Sequence, residues 1–189
     1  MGTDYLISCI KQFQYYKLLA ERTFEQLDEE QLFWQYNPES NSIAIIVKHL
    51  WGNMLSRWTD FLTADGEKPW RNRDDEFEYD MVSKSEMLQK WNAGWTVFLT
   101  TLESLKEEDL EKIIYIRNQG HTVVEAINRQ LAHYAYHIGQ IVFIGKMCAH
   151  QWISLSIPKG NSKQFNDGKF SKPQHNAHFT DEFLNKPEE

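Results

Sequence analysis

Cysteine is nearly absent from this chain. Only Cys9 and Cys148 occur in 189 residues, far apart and in no CxxC arrangement, which excludes a disulfide framework and a thiolate zinc cluster and leaves two small hydrophobes for the interior. Long apolar runs are missing too. The opening stretch MGTDYLISCIKQF reaches a polar residue every few positions, unlike a signal peptide or a membrane span, so a soluble, cytoplasmic protein with no membrane partner is expected. Basic charge is in deficit: 20 Lys and Arg stand against 27 Asp and Glu, for a net charge of -7. That balance offers no electrostatic footprint for a phosphate backbone, and no nucleic-acid partner is expected. Sustained strand alternation and internal repeats are also lacking.

What is present is enough apolar material, 41% of residues with 14% aromatic, to fill one core of single-domain size. Helical periodicity marks four segments. The first runs from about Asp4 to Leu27, with Ile10, Phe13, Ala20 and Phe24 near one face, interrupted only by Lys17. After the turn Asn37-Pro38-Glu39-Ser40-Asn41, Ser42 is placed to cap a second helix reaching about Ala64. A polar loop from Asp65 to Val82 follows, long enough to be functional. The capping boxes Ser83 to Glu86 and Thr122 to Glu125 open the third and fourth helices, which reach about Leu105 and Ala149. Between them IIYIRNQG predicts a short extended segment and turn, and Pro158, Gly160, Gly168 and Pro173 mark an irregular tail. The fold class expected is all-α, a four-helix bundle with a long crossover loop and an irregular C-terminal tail.

Histidine placement carries the chemical signal. His133 and His137 are four apart, so their rings project from one helix face about a turn from each other, a spacing used by helical zinc sites. The motif His133-Tyr134-Ala135-Tyr136-His137 lacks a glutamate after the first histidine, which removes the general base of a zinc protease. On a helical wheel the pair falls beside the apolar face of Ile127, Leu131, Tyr134, Ile138 and Ile141, with Glu125, Arg129 and Lys146 on the solvated side. His49 is likewise displaced from its helix's main stripe, and facing helices can unite one histidine with a pair. Three imidazoles leave a coordination position open, the pattern of a catalytic ion. The alternative is a set of core histidines satisfied by hydrogen bonds. His150, His175 and His178 read as exposed.

The segments NSIAIIVKHLWGNMLSRWTDFL, RQLAHYAYHIGQI and SLSIPKGNSKQFN resemble the DinB-like superfamily, in particular a bacterial branch of unknown function. The likeness covers the chain from the first helix to about Asn166, which makes residues 1–166 the bundle domain and 167–189 a tail. It implies a homodimer and a divalent metal at one end of the bundle; three imidazoles suit Zn, Ni, Cu and Fe, with Zn or Ni the first candidates and Mn or Fe further ones. The matching ligand positions are His49, His133 and His137.

Better-understood members of that superfamily are thiol S-transferases using bacillithiol, mycothiol or glutathione. The resemblance therefore implies a metal-dependent thiol transferase acting on a small molecule with a low-molecular-weight thiol. A non-catalytic metal-binding or dimerising bundle and a metal-dependent hydrolase are the alternatives. The DGEKPWRNRD loop and the SIPKG tail depart from those relatives. Arg57, Arg71 and Arg73 are candidates to hold carboxylates of an acidic thiol, since guanidinium forks suit carboxylate geometry. Ser154, Ser156 and Lys159 are candidates to close over the metal. Tyr134 and Tyr136 are expected to project away from it, and Trp51, Trp58 and Trp70 receive no role.

Overall fold

A computed structural model describes residues 2–185; residues 1 and 186–189, which belong to the bundle and tail segments respectively, lie outside the described residues. Helix α1 spans Gly2–Phe24. It ends before Leu27 because Asp28 starts a short helix α2, Glu29–Phe33, with a capping box to Gln31 that the sequence reading passed over. Ser42 caps α3, Ile43–Trp58, by accepting from the backbone N–H of Ile45. This helix stops six residues earlier than the periodicity predicts. Thr101 donates to the Trp58 carbonyl and Asp60 takes a left-handed φ of 51°, which turns the chain into the crossover. A 3₁₀ turn, Asp74–Phe77, interrupts that crossover.

Helix α4, Lys84–Ser104, and helix α5, Val123–Cys148, open on the serine and threonine caps read from the sequence. A hairpin joins them: β1, Ile113–Ile116, pairs antiparallel with β2, Gln119–Thr122. Its two-residue turn, Arg117-Asn118, has positive φ at both positions, which matches the twist of the strands. Asp65 stabilises this turn by accepting from the backbone N–H groups of Arg117 (2.9 Å) and Asn118 (2.7 Å). The hairpin is thereby tied to the start of the crossover.

The four long helices share one core in which α1, α3, α4 and α5 each contribute an aromatic ring: Phe13, Trp58, Phe98 and Tyr134. Phe98 sits at the centre, with ring centroids 4.6 Å from Phe13, 4.7 Å from Trp58 and 5.1 Å from Tyr134, so rotation of any one helix would unpack the others. Gly94 lets α4 approach α3, since a Cβ there would stand 3.2 Å from the Trp51 Cα. α3 packs mainly on α4 and α1 mainly on α5, while α3 and α5 meet over a smaller area. The crossover lies against α3 beside that gap. The chain is mostly helical, as expected for an all-α bundle.

The tail is largely irregular, with two short helices, α6 (Ser162–Asn166) and α7 (Asp181–Leu184). It packs along α1: Lys11 pairs with Asp181 at 2.7 Å, and Tyr15 meets Phe183 at 5.1 Å. His178, expected to be exposed, is half-buried against Ser8 (3.1 Å) and Thr180 (2.7 Å). No helix among the described residues is long and apolar enough to cross a membrane.

Candidate metal centre

His49 from α3 and His133 and His137 from α5 come together across the α3–α5 gap. His133 Nε2 lies 3.3 Å from His49 Nε2 and 3.1 Å from His137 Nε2, and the three ligand atoms fall within 4.8 Å of one another. Nitrogens bound at 2.0–2.1 Å around a tetrahedral ion stand roughly 3.3 Å apart. Two of the three pairs have that spacing, and the donor set could hold a metal ion.

Each opposite ring nitrogen faces a side-chain oxygen, an arrangement that favours the Nδ1–H tautomer. His49 Nδ1 donates to Glu76 Oε2 at 2.9 Å, His133 Nδ1 to Gln130 Oε1 at 3.2 Å, and His137 Nδ1 to Gln140 Oε1 at 2.9 Å. With each proton committed at Nδ1, three Nε2 lone pairs point at one another. That is repulsive until a cation enters, and it is how metal-binding imidazoles are oriented by their outer partners. Protonation is no substitute for a cation. Burial, then the neighbouring His137 and His49 rings, holds His133 down to about 3. Burial and the His49 ring, against the Gln140 hydrogen bond, hold His137 down to about 4.

Glu76, absent from the sequence reading, is the hub of the second layer. Its carboxylate also accepts from Arg71 at 2.7 and 3.0 Å in a two-pronged pair, and both side chains are 5% exposed or less. Burial pushes its carboxyl up, but the hydrogen bonds from His49 and Arg71 and the charge of Arg71 outweigh that and leave it below the usual glutamate range. Glu76 fits because residue 52 is glycine: a Cβ at Gly52 would stand 2.7 Å from the Glu76 Cδ. Phe77, next in the 3₁₀ turn, stacks on His49 with centroids 5.0 Å apart. Lys48, 6% exposed, fastens the same stretch by donating to the Asp75 and Glu78 carbonyls and to Asp80.

The Nε2 atoms face a cavity of about 470 Å³ lined also by Asn53, Gln130, Phe77 and Tyr136 and by Arg57, Arg71, Arg73, Arg117 and Arg129. The three arginines singled out in the sequence all reach it, but two are already engaged, Arg71 by Glu76 and Arg57 by Gly66 and Glu67. Arg129, assigned to the solvated side by the wheel, is exposed as expected and also lines the cavity one turn before His133. Tyr136 was expected to project away and instead lines the mouth, its ring 4.9 Å from that of His137. Tyr134 does turn away, into the core, where its hydroxyl donates to Asn53 at 3.2 Å. Ser154, Ser156 and Lys159 do not line the cavity: they follow the end of α5, whereas the histidines lie midway along it. Trp58 is core, and neither Trp51 nor Trp70 lines the cavity. The centre thus sits on the flank of the bundle under the crossover, where the resemblance implies one end. Cys9 is buried and Cys148 half-buried.

No curated protein and no solved structure matches the chain. A family model does match, over residues 1–161, and the chain belongs to that family, described as "Protein of unknown function (DUF1572)".

Proposed function

We propose that this chain is a DinB-like divalent-metal protein, with Zn or Ni as the first candidates, that acts as a metal-dependent thiol S-transferase. The observation that carries the reading is the convergence of three Nε2 lone pairs whose Nδ1 protons are committed elsewhere. The four long helices, the crossover and the placement of the trio on the second and fourth of them support the superfamily assignment. A bound divalent ion would lower the pKa of a coordinated thiol and hold the thiolate toward an electrophile. The new S–C bond then forms as the leaving group departs with its bonding electrons and the thiol proton passes to solvent.

The cavity lining favours a thiol over water as nucleophile. No carboxylate lines the cavity among the described residues, and Glu76 is committed to His49 and Arg71. Hydrolysis would lack a general base, whereas a thiol, with an ordinary pKa near 8.5, needs far less help than water. Asn53 and Gln130 supply uncharged hydrogen-bonding groups beside the trio. The apolar side chains of Tyr136, Phe143 and Met147 share an exposed face of α5 and support a homodimer.

Metal content after tag-free purification tests the centre. Stoichiometric metal, lost in His49→Ala and His137→Ala, is expected; no metal and no thermal shift on adding Zn or Ni would sink it. Incubation of the loaded protein with low-molecular-weight thiols and a bimane electrophile tests the transfer. Equal conjugate formation by wild type and His49→Ala would rule it out.

A further inference from the structure

Every charged side chain lining the cavity is an arginine, in a chain whose net charge is -7. Carboxylates offset part of this charge, Asp65 beside Arg57 among them. Glu76 pairs with Arg71, and Glu67 lies between Arg57 (3.2 Å) and Arg117 (2.9 Å). Of the five arginines, Arg57, Arg71 and Arg117 have a carboxylate partner, while Arg73 and Arg129 have none among the described residues, and both line one partly enclosed space. The Arg129 side chain makes no ion pair or hydrogen bond among the described residues, and the Arg73 side chain only covers the Phe77 ring, at 5.1 Å. Arg57 feels the crowding: burial first, then the charge of Arg71, holds its pKa below the ordinary arginine value in spite of Glu67.

Guanidinium groups gathered this closely repel one another, and water screens them less in a cavity than on an open surface. An acidic protein that concentrates them at one mouth has built a focusing field for anions. The planar fork of each group is matched to phosphate and carboxylate oxygens. Arg129 precedes His133 by one turn of α5, so an anion held there lies beside the histidine trio. The volume, about 470 Å³, suits a small molecule.

We infer that the cavity binds a compact polyanion, a small molecule carrying two or more phosphate or carboxylate groups, with Arg73 and Arg129 as its recognition residues. This inference shares the cavity with the proposed transferase and does not depend on its metal, because the charge excess belongs to the chain itself. The ligand that brings its anionic groups to the arginines would place its remaining atoms against the histidines.

The test is calorimetric titration of metal-stripped, full-length protein with inorganic pyrophosphate and, separately, with tricarballylate, using acetate as the monoanion control. Saturable one-to-one binding of at least one polyanion is expected, weakening with added salt. The Arg73→Ala/Arg129→Ala double variant should bind at least tenfold more weakly, while a Lys163→Ala/Lys172→Ala variant, which removes exposed basic charge from the tail, should match wild type. Both arginines are exposed, so the double variant should melt with wild type. Tighter binding of pyrophosphate identifies a phosphate-bearing ligand and tighter binding of tricarballylate a polycarboxylate. Binding no stronger than that of acetate, or unchanged in the arginine double variant, overturns the inference. Metal content of the unstripped protein, measured separately, decides the metal reading on its own.

Discussion

The two halves of the histidine centre are built differently. His133 and His137 stand on one helix and are oriented by that helix's own neutral amides, Gln130 and Gln140, each three residues away. His49 is oriented by a buried carboxylate 27 residues along the chain, Glu76, which is gripped by Arg71, admitted by Gly52 and followed by the ring stacked on His49. Once α5 has formed, its two ligands are in place. The third is fixed only when the crossover has closed on α3, so metal affinity should report crossover closure through His49 and hardly at all through the α5 pair.

Glu76→Gln should break this asymmetry most severely. The amide can still accept from His49, but Arg71 loses its counter-charge in a site where its side chain is 3% exposed, and removing one partner of a buried pair costs about 3–5 kcal/mol. Loss of an outer-layer partner weakens metal affinity by roughly 10- to 100-fold. Competition with a chromophoric chelator should place this variant toward the upper part of that range, with faster amide exchange in residues 71–80. Affinity within a factor of two of wild type would mean that the crossover merely covers the centre.

Gly52→Ala separates stability from site geometry. An alanine in a helix interior gains about 1 kcal/mol over glycine, yet here its Cβ collides with the Glu76 carboxylate. Weaker metal binding is expected, by less than in Glu76→Gln because the carboxylate is displaced and not removed, with α3 itself no less helical by circular dichroism. Unchanged affinity would show that Glu76 has another place from which to hold His49.

The same asymmetry explains what could be read from the sequence. The four long helices, their serine and threonine caps, the crossover and the His133–His137 pair follow from spacings of three and four residues. Gln130 and Gln140 were equally legible by that rule and were overlooked. The end of α3 was not legible, because it is set by Thr101 from another helix taking the Trp58 carbonyl. Glu76, Arg71 and Gly52 belong to no common periodicity, and a polar loop rich in charge reads as solvated until it is folded onto α3. Arg129 illustrates the converse: the wheel rightly puts it in solvent, but that its exposed side chain also lines the cavity depends on how α3 and the crossover are placed.

Above about pH 4.5, where carboxylates of ordinary pKa are still ionised, the acid response of the metal-free chain probes chiefly the α5 half, since Glu76 and the other ion-paired carboxylates are held below their usual range. His133 and His137 have folded pKa values near 3 and 4, below the unfolded value of about 6.5. Between those limits the unfolded chain binds more protons than the folded one, so stability is present above pH 6.5 and is lost as pH falls toward 4. Melting of the metal-stripped protein should show that slope, and His133→Phe should flatten it. A wild-type melting temperature constant from pH 7 to 4.5 would mean that the rings are more open to water than their burial implies.

The mildest perturbation is Gln140→Ala, and it is the sharpest control on the difference between the halves. Gln140 is half-buried and uncharged, and gives His137 one hydrogen bond of 2.9 Å. A neutral bond of this kind contributes about 0.5–1.5 kcal/mol net, and because Gln140 is only half-buried, water can take the place of the amide oxygen. His137 also keeps its position on α5 with or without its partner. Metal affinity should therefore fall by less than about tenfold, with amide exchange in the crossover unchanged. If Gln140→Ala weakened the metal as much as Glu76→Gln, orientation of the imidazole rings would outweigh the buried charge pair, and the crossover would lose its special claim on the centre.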